Sequence, residues 1–250
     1  MFVTGLTSIS FRNLSVDEII RLTRESGLKA IEWGSDIHAP KDNAPLLKDI
    51  REKMERAGLY TSSYGTYFRI GESSLADLPD YICAASILGT KILRLWCGRK
   101  NYEDMDEAER KRIIEEAGLA ASIAEQHGVV FCVECHKNTF TSCLFGALRL
   151  METVNSSAFR MYWQPSLLLD EAGNTEYADK ISKYTQNIHV FNWSEKGRIK
   201  LREGFSAWQK YLSFFDGTQH LLLEFMPDNS PASLAEEAEA VIKLADGFNK

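Results

Sequence analysis

A (β/α)₈ barrel, a TIM barrel of the α/β class, is the fold this sequence predicts, and three observations predict it. Eight short apolar runs alternate with longer amphipathic stretches along the 250 residues, the pattern of a parallel sheet wrapped by helices. Four of the amphipathic stretches stop on a glycine just before the next run, at Gly27, Gly58, Gly89 and Gly128, the punctuation of a helix handing over to a strand. Neither early turn, Gly5-Leu6-Thr7-Ser8 nor Gly34-Ser35-Asp36, has the G-x-G-x-x-G spacing that an open, nucleotide-binding sheet would show. A closed barrel is therefore preferred, and a chain of this length is expected to form one domain over residues 1–250.

The elements follow in order. The eight candidate strands are residues 2–5, 30–33, 60–64, 92–96, 129–134, 160–163, 187–191 and 221–225. Ser15-Val16-Asp17-Glu18 is a capping box opening a helix with Ile19, Ile20 and Leu22 inward, and Gly27 ends it. Further helices are expected over residues 44–57 and 78–88, and the longest over 106–126. The set is completed by residues 142–153, 176–183, 205–214 and 233–248.

Composition narrows the function. With 29 basic and 35 acidic residues the net charge is −6, and such a chain has no footprint for nucleic acid unless positive charge gathers on one face. The basic clusters are Arg110-Lys111-Arg112, on a helix, and Arg198, Lys200 and Arg202. No apolar run approaches the ~18 residues that span a bilayer, and the N-terminus does not read as a signal peptide. Five cysteines do not suggest a secreted disulfide framework. Cys132 and Cys135 form a CxxC within a buried strand, not at the helix N-terminus where thiols are activated. The expectation is a cytoplasmic protein acting on a small molecule, with no nucleic-acid or membrane partner and with homo-oligomerisation left open.

Barrel enzymes carry their chemistry at the C-terminal ends of the strands. The fifth to eighth strands end in Glu134, Gln164, His189 and Glu224. Two carboxylates, an amide oxygen and an imidazole make a mixed oxygen and nitrogen donor set suited to a divalent metal. A carboxylate ending a buried strand is costly unless paired with a cation. Each residue singly reads as a satisfied polar group at a sheet end; the four on adjacent strands favour a metal centre. His38 and His136 are candidates for substrate contact or structural hydrogen bonding. Arg94 either reaches the mouth to meet an anionic group or pairs with Glu134 or Glu32. Trp33, Trp96, Trp163 and Trp193 fall at strand ends, as does Tyr64. Aromatic faces around a mouth suit the apolar face of a sugar, whereas the alternative is that they seal the top of the core. Arg198, Lys200 and Arg202 follow the seventh strand, where many barrels bind phosphate, or else form a solvated basic loop.

At these residues the chain resembles the xylose isomerase-like TIM-barrel superfamily, which includes sugar and sugar-phosphate isomerases and epimerases, inosose dehydratases and endonuclease IV. The marks are Ile31-Glu32-Trp33 with Asp36 and His38, Val133-Glu134-Cys135-His136, and His189-Val190-Phe191-Asn192. Glu203-Gly204 before Trp208, and Leu223-Glu224, add to them. The resemblance implies that Glu134, Gln164, His189 and Glu224 bind metal: Mn²⁺ first, with Mg²⁺, Co²⁺ or Zn²⁺ as alternatives. Two positions depart from the family pattern: Gln164 and Asn192 each stand where it has Asp. The amide at 164 removes one negative charge from the ligand set. Asp170 lies six residues beyond Gln164 and is expected out in a loop rather than as a replacement ligand.

The resemblance further implies proton transfer through an enediolate, with Glu134 and Glu224 as acid and base. The expected enzyme is an isomerase or epimerase of a sugar, sugar phosphate or polyol. Alternatives are an inosose-dehydratase-like lyase, and a sugar-binding barrel whose metal site has decayed. A nuclease is disfavoured by the acidic charge and by the small supply of histidines, five in the chain.

Overall fold

The computed structural model describes residues 1–195 and 197–249. Its barrel strands are β1 (Val3–Thr7), β2 (Ala30–Gly34), β3 (Tyr60–Ile70), β4 (Ile92–Cys97), β5 (Val130–Glu134), β6 (Phe159–Trp163) and β7 (Thr185–Val190). A short hairpin, β8 (Trp193–Ser194) with β9 (Gly197–Arg198), precedes the last barrel strand, β10 (His220–Leu223). The eight barrel strands are all parallel, and β1 closes the ring by pairing with both β2 and β10. Eight α-helices alternate with them among the described residues: α1 (Val16–Glu25), α2 (Ala44–Arg56), α3 (Leu78–Leu88), α4 (Glu107–His127), α5 (Leu144–Val154), α6 (Glu171–Ile181), α7 (Phe205–Leu212) and α8 (Leu234–Asp246). None of the described helices is long and apolar enough to cross a membrane.

Local chemistry starts and stops these helices. Ser15 and Glu18 form the capping box, each side chain accepting from the other's backbone N–H. Asp106 caps α4 by accepting from the Glu109 N–H. Gly89 and Gly128 end α3 and α4 at φ 83° and 63°, a conformation that costs glycine little. Two helices begin elsewhere than periodicity predicts. Asp170 caps α6 and accepts from Gly173, so that helix starts at Glu171. Cys143 occupies the same place before α5, which starts at Leu144. Asp170 is thus a helix cap, which removes it from any ligand set.

The strands obey a period of two, and this sorts every side chain. Leu93, Leu95, Phe131, Val133, Met161, Trp163, Ile188, Val190, Leu221 and Leu223 join the core cluster packed under the helices. Their neighbours turn into the barrel, where Cys132, Tyr162 and Leu222 form a separate small cluster. Gly5 has no side chain because a Cβ there would lie 2.7 Å from Leu222 Cδ2 and 2.6 Å from the Ala30 carbonyl oxygen. β3 runs eleven residues because its pairing with β4 shifts register between Gly65 and Arg69. Within that irregularity Tyr67 sits at φ 57°.

Trp163 and Trp33 are both fully buried in the helix-facing layer, so neither seals the mouth. Trp163 packs edge-on to Trp208 (6.0 Å) and Tyr211 (5.5 Å) and lies against Phe215 (5.6 Å). Trp163→Ala should cost about 3–5 kcal/mol of stability, as large-to-small changes in a packed core do. Urea unfolding checks this; a loss under about 1 kcal/mol would show that the site collapses around the deletion.

Candidate metal centre

Four strands place the central side chains. Counting by two from Cys132, Tyr162, Asn187 and Leu222 reaches Glu134, Gln164, His189 and Glu224 at the C-terminal end of the barrel strands. His189 is fully buried at the middle of the group. Its Nδ1 lies 3.3 Å from Glu134 Oε1, 3.6 Å from Glu224 Oε2 and 3.1 Å from Gln164 Oε1. One donor atom from each of Glu134, His189 and Glu224 falls within 4.8 Å of the others. The structure therefore brings together the four residues read from the strand ends.

A fifth residue, Glu32 on β2, stands on the other side of the imidazole, with Oε1 3.4 Å from His189 Nε2. Arg94 links it to the group, donating from Nε to Glu32 Oε1 (2.9 Å) and from Nη1 to Glu134 Oε2 (2.5 Å). The choice between Glu32 and Glu134 left open by the sequence is resolved as both. The indole N–H of Trp96 also donates to Glu134 Oε2, leaving Oε1 to face His189. Gly65 permits this arrangement, because a Cβ there would come 2.7 Å from Arg94 Nη2.

Electrostatics follow from these contacts. Burial alone would raise the Glu32 carboxyl, but Arg94 and His189 outweigh it and hold it at about 2. Burial likewise opposes ionisation of Glu134, and Arg94 and His189 pull it well below the usual range. Glu224 shifts the other way, raised by burial and by the nearby Glu134 charge, with His189 only partly offsetting them. Burial would lower His189, yet Glu224, Glu32 and Glu134 bring it up to about 10. With neutral His189, the three glutamates and Arg94 sum to −2 (−3 + 1), the charge a divalent cation cancels. The donor set fits such a cation: Oε1 of Glu134, Oε2 of Glu224 and Nδ1 of His189, with the amide oxygen of Gln164 beside them.

Glu134, Gln164 and Glu224 open into a cavity of about 440 Å³. Of the residues read as substrate contacts, Arg94, Trp96, His136, Trp193 and Arg198 line it. Trp96 stacks on His136 with ring centroids 5.5 Å apart. Three others do not line it. Trp33 and Tyr64 flank the inward Glu32 and Ser63 and so point outward, and the Tyr64 hydroxyl donates to the Ala39 carbonyl (2.6 Å). His38 is buried beside Trp33, its Nε2 paired with the Leu14 carbonyl (3.1 Å). Of the basic residues after β7, Lys200 and Arg202 pair with Glu236 instead of the cavity. Asn192 donates to the Lys200 carbonyl and packs on Gly204, a structural role.

Several wall residues escaped the sequence reading: Arg12, Tyr67, Lys137 and Phe225. Tyr67 and Phe225 both have positive φ, 57° and 63°, which bulky residues adopt only when their surroundings hold them there. Arg12 joins Tyr67 by an Nη2–hydroxyl bond of 2.8 Å and also pairs with Asp36. No local motif marks such residues. Glu32 did have a signal, an acidic residue within an otherwise apolar strand.

The family model for xylose isomerase-like TIM barrels matches residues 20–244. The chain belongs to that family. A 3-dehydroshikimate dehydratase of Bacillus anthracis is 24% identical over 270 aligned residues, covering 95% of each chain. The crystal structure of the probable 3-DHS dehydratase of Bacillus anthracis superposes with a TM-score of 0.80 at 20% identity, covering 97% of this chain and 99% of that one. D-psicose 3-epimerase from Clostridium cellulolyticum H10 superposes with a TM-score of 0.77 at 12% identity, covering 98% of each chain.

A cation entering this group must displace the proton from His189 Nδ1, which Glu224, Glu32 and Glu134 hold on the ring against the opposing effect of burial. Apparent Mn²⁺ affinity should therefore rise with pH, by about tenfold per unit while one proton is displaced. Titration calorimetry between pH 6 and 9 in several buffers checks both affinity and proton release. A pH-independent affinity would place the metal elsewhere.

Proposed function

We propose that this protein is a divalent-metal-dependent isomerase or epimerase of a small polyhydroxylated carbonyl compound, with Mn²⁺ the first choice of metal. The observation that carries the reading is the unequal environment of two glutamates beside one histidine. Glu134 has one carboxylate oxygen occupied by Arg94 and Trp96. Glu224 has no hydrogen-bond donor on its carboxylate among the described residues; its ion-pair neighbour is His189. Environments that separate two carboxyl groups in this way assign different roles to them.

Glu134, His189 and Glu224, with Gln164, would hold the metal, which when bound polarises a carbonyl and its neighbouring hydroxyl and makes the adjacent C–H more acidic. Glu224, the carboxyl whose proton affinity is raised, takes that proton. The electron pair moves onto the carbonyl oxygen as an enediolate, with the Arg94 cation nearby. Return of the proton by Glu224 to the neighbouring carbon is isomerisation. Inversion at the original carbon needs a proton from the opposite face; the resemblance assigns that face to Glu134, which must first take up a proton from the cavity, since Arg94 and His189 hold it ionised. His136 on the cavity wall is a second donor for that step.

The anionic end of a sugar phosphate or sugar acid has a counterpart in Arg198. Among the described residues it has no carboxylate within ion-pair distance, although Glu224 lies near enough to favour its charge; Nη1 donates to the Asn229 side-chain oxygen, and the guanidinium lies 4.0 Å from the Phe225 ring centroid and 5.0 Å from that of Trp193. The hairpin produces this placement, because Trp193 and Arg198 are cross-strand partners. A cytoplasmic location fits the same reading.

A lyase is the second reading, favoured by the dehydratase match along 95% of both chains. The first step is the same proton removal by Glu224; the β-hydroxyl then leaves as water, taking its proton from His136.

Metal-loaded protein incubated in D₂O with ketoses, sugar phosphates and hydroxylated keto acids tests these readings by NMR. Deuterium at the carbon next to the carbonyl, with a shifted or inverted centre, is expected; loss of a hydroxyl selects the lyase. Glu224→Gln should slow exchange by about 10²–10⁴-fold. Exchange unchanged in that variant removes Glu224 from the chemistry, and the absence of metal from wild type leaves a sugar-binding barrel. Arg198→Ala should raise KM for an anionic substrate about tenfold or more, the worth of a charged hydrogen bond. An equal rise for the neutral analogue would show that Arg198 only shapes the wall.

A further inference from the structure

Below the metal centre the barrel interior holds a line of polar groups that the proposed reaction does not use. Tyr60 at the start of β3 and His220 at the start of β10 meet at the N-terminal end of the barrel, with Tyr60 OH 2.9 Å from His220 Nε2. His220 Nδ1 is 3.0 Å from Asn187 Oδ1, and Asn187 Nδ2 is 2.7 Å from the Tyr162 hydroxyl. Tyr162 OH is 2.6 Å from Ser63 Oγ, which is 3.0 Å from Glu32 Oε2. Ser63, Tyr162 and Asn187 are fully buried.

The direction of each bond follows from the two ends. An ionised carboxylate only accepts, so Ser63 donates to Glu32. Tyr162 lies within hydrogen-bond reach of both Ser63 and Glu32, so its hydroxyl donates toward this end and accepts from the Asn187 amide. The Asn187 carbonyl can only accept, so His220 donates from Nδ1 and its Nε2 accepts from Tyr60. Five hydrogen bonds thus point the same way, from the bottom of the barrel to Glu32. Bonds aligned in a chain polarise one another.

Glu32 passes this orientation to His189. Arg94 holds Glu32 Oε1 from the other side at 2.9 Å. The Tyr162 ring also lies against the imidazole, with centroids 4.8 Å apart. His189 Nε2 is buried without a hydrogen-bond partner, and Glu32 Oε1 faces it at 3.4 Å. We infer that Glu32 is a positioning residue: the chain holds its carboxylate behind His189 and keeps a ring proton on Nε2, so that once a metal displaces the Nδ1 proton the lone pair there faces Glu134, Gln164 and Glu224. A carboxylate behind a ligating histidine raises the basicity of the ligand. The negative charge that Gln164 does not contribute beside the metal is supplied instead from β2. The inference rests on the metal-centred reading above.

Mn²⁺ titration of chelator-treated wild type and Glu32→Gln, with ¹⁵N NMR of the histidine rings before and after Zn²⁺ loading, tests it. Glu32→Gln should weaken Mn²⁺ binding by about 10–100-fold and shift the His189 Nε2 resonance. Gln164→Asp should raise affinity in that variant by more than it does in wild type, a coupling that a merely structural role for Glu32 does not predict. Should Glu32→Gln fail to fold, Ser63→Ala and Tyr162→Phe cut the chain within the barrel and should move both readouts the same way, by less. Unchanged affinity and unchanged His189 resonances in folded variants overturn the inference. Wild type that takes up no metal sinks the metal-centred reading instead. The His189 Nε2 resonance of metal-free protein then decides for or against Glu32 by whether Glu32→Gln shifts it.

Discussion

The buried Arg94 guanidinium, with Glu32 on Nε and Glu134 on Nη1, is the interaction around which the C-terminal end of the barrel is arranged. Three glutamates that are each under a tenth exposed could not all ionise in this space without a cation. Arg94 offsets one of those charges; a proton on His189 answers one of the two left, and a divalent metal there answers both. Removing one partner from such a buried pair is costly, because the other is left buried and uncompensated. The strands meet this demand by geometry: β4 supplies Arg94 between β3, where Gly65 makes room, and β5, which carries Glu134.

The two faces of His189 do different things. Nδ1 looks toward the cavity and the groups suited to hold a metal, and Nε2 looks back toward Glu32 and the polar line down the barrel. This gives Gln164 a different meaning from the one its residue type suggests. A site judged only by its innermost four groups lacks a charge there. Including Glu32 behind the ring, the interior has enough negative charge to neutralise a dication after Arg94 is counted. A barrel core is usually filled by branched apolar side chains; here Ser63, Tyr162 and Asn187 take that space.

Much of this was legible in the sequence. Eight runs, the glycine stops and the capping box correspond to elements seen in the structure, and the family match agrees with the resemblance. Glu134, Gln164, His189 and Glu224 were found because strand ends in a barrel converge. Trp33, Trp163 and Tyr64 were misplaced because position along a strand was weighed without its parity. Each is next to an inward residue, Glu32, Gln164 or Ser63, and so faces the helices. The same rule, applied backward from Gln164 and His189, would have pointed to Tyr162 and Asn187.

The sequence by itself determined the order of strands and helices and which residue types arrive at the strand ends, since periodicity and capping are local properties of the chain. Only the tertiary structure decided that Arg94 joins Glu32 to Glu134, that the hairpin turns Arg198 into the cavity, and that a polar line ends on Glu32. Those contacts bridge strands up to 160 residues apart, Tyr60 to His220 being the longest. They depend on the barrel's closure and register, which no local pattern encodes. The four residues at the strand ends were visible from the chain alone, and Glu32 came to lie beside His189 only when the barrel closed around it.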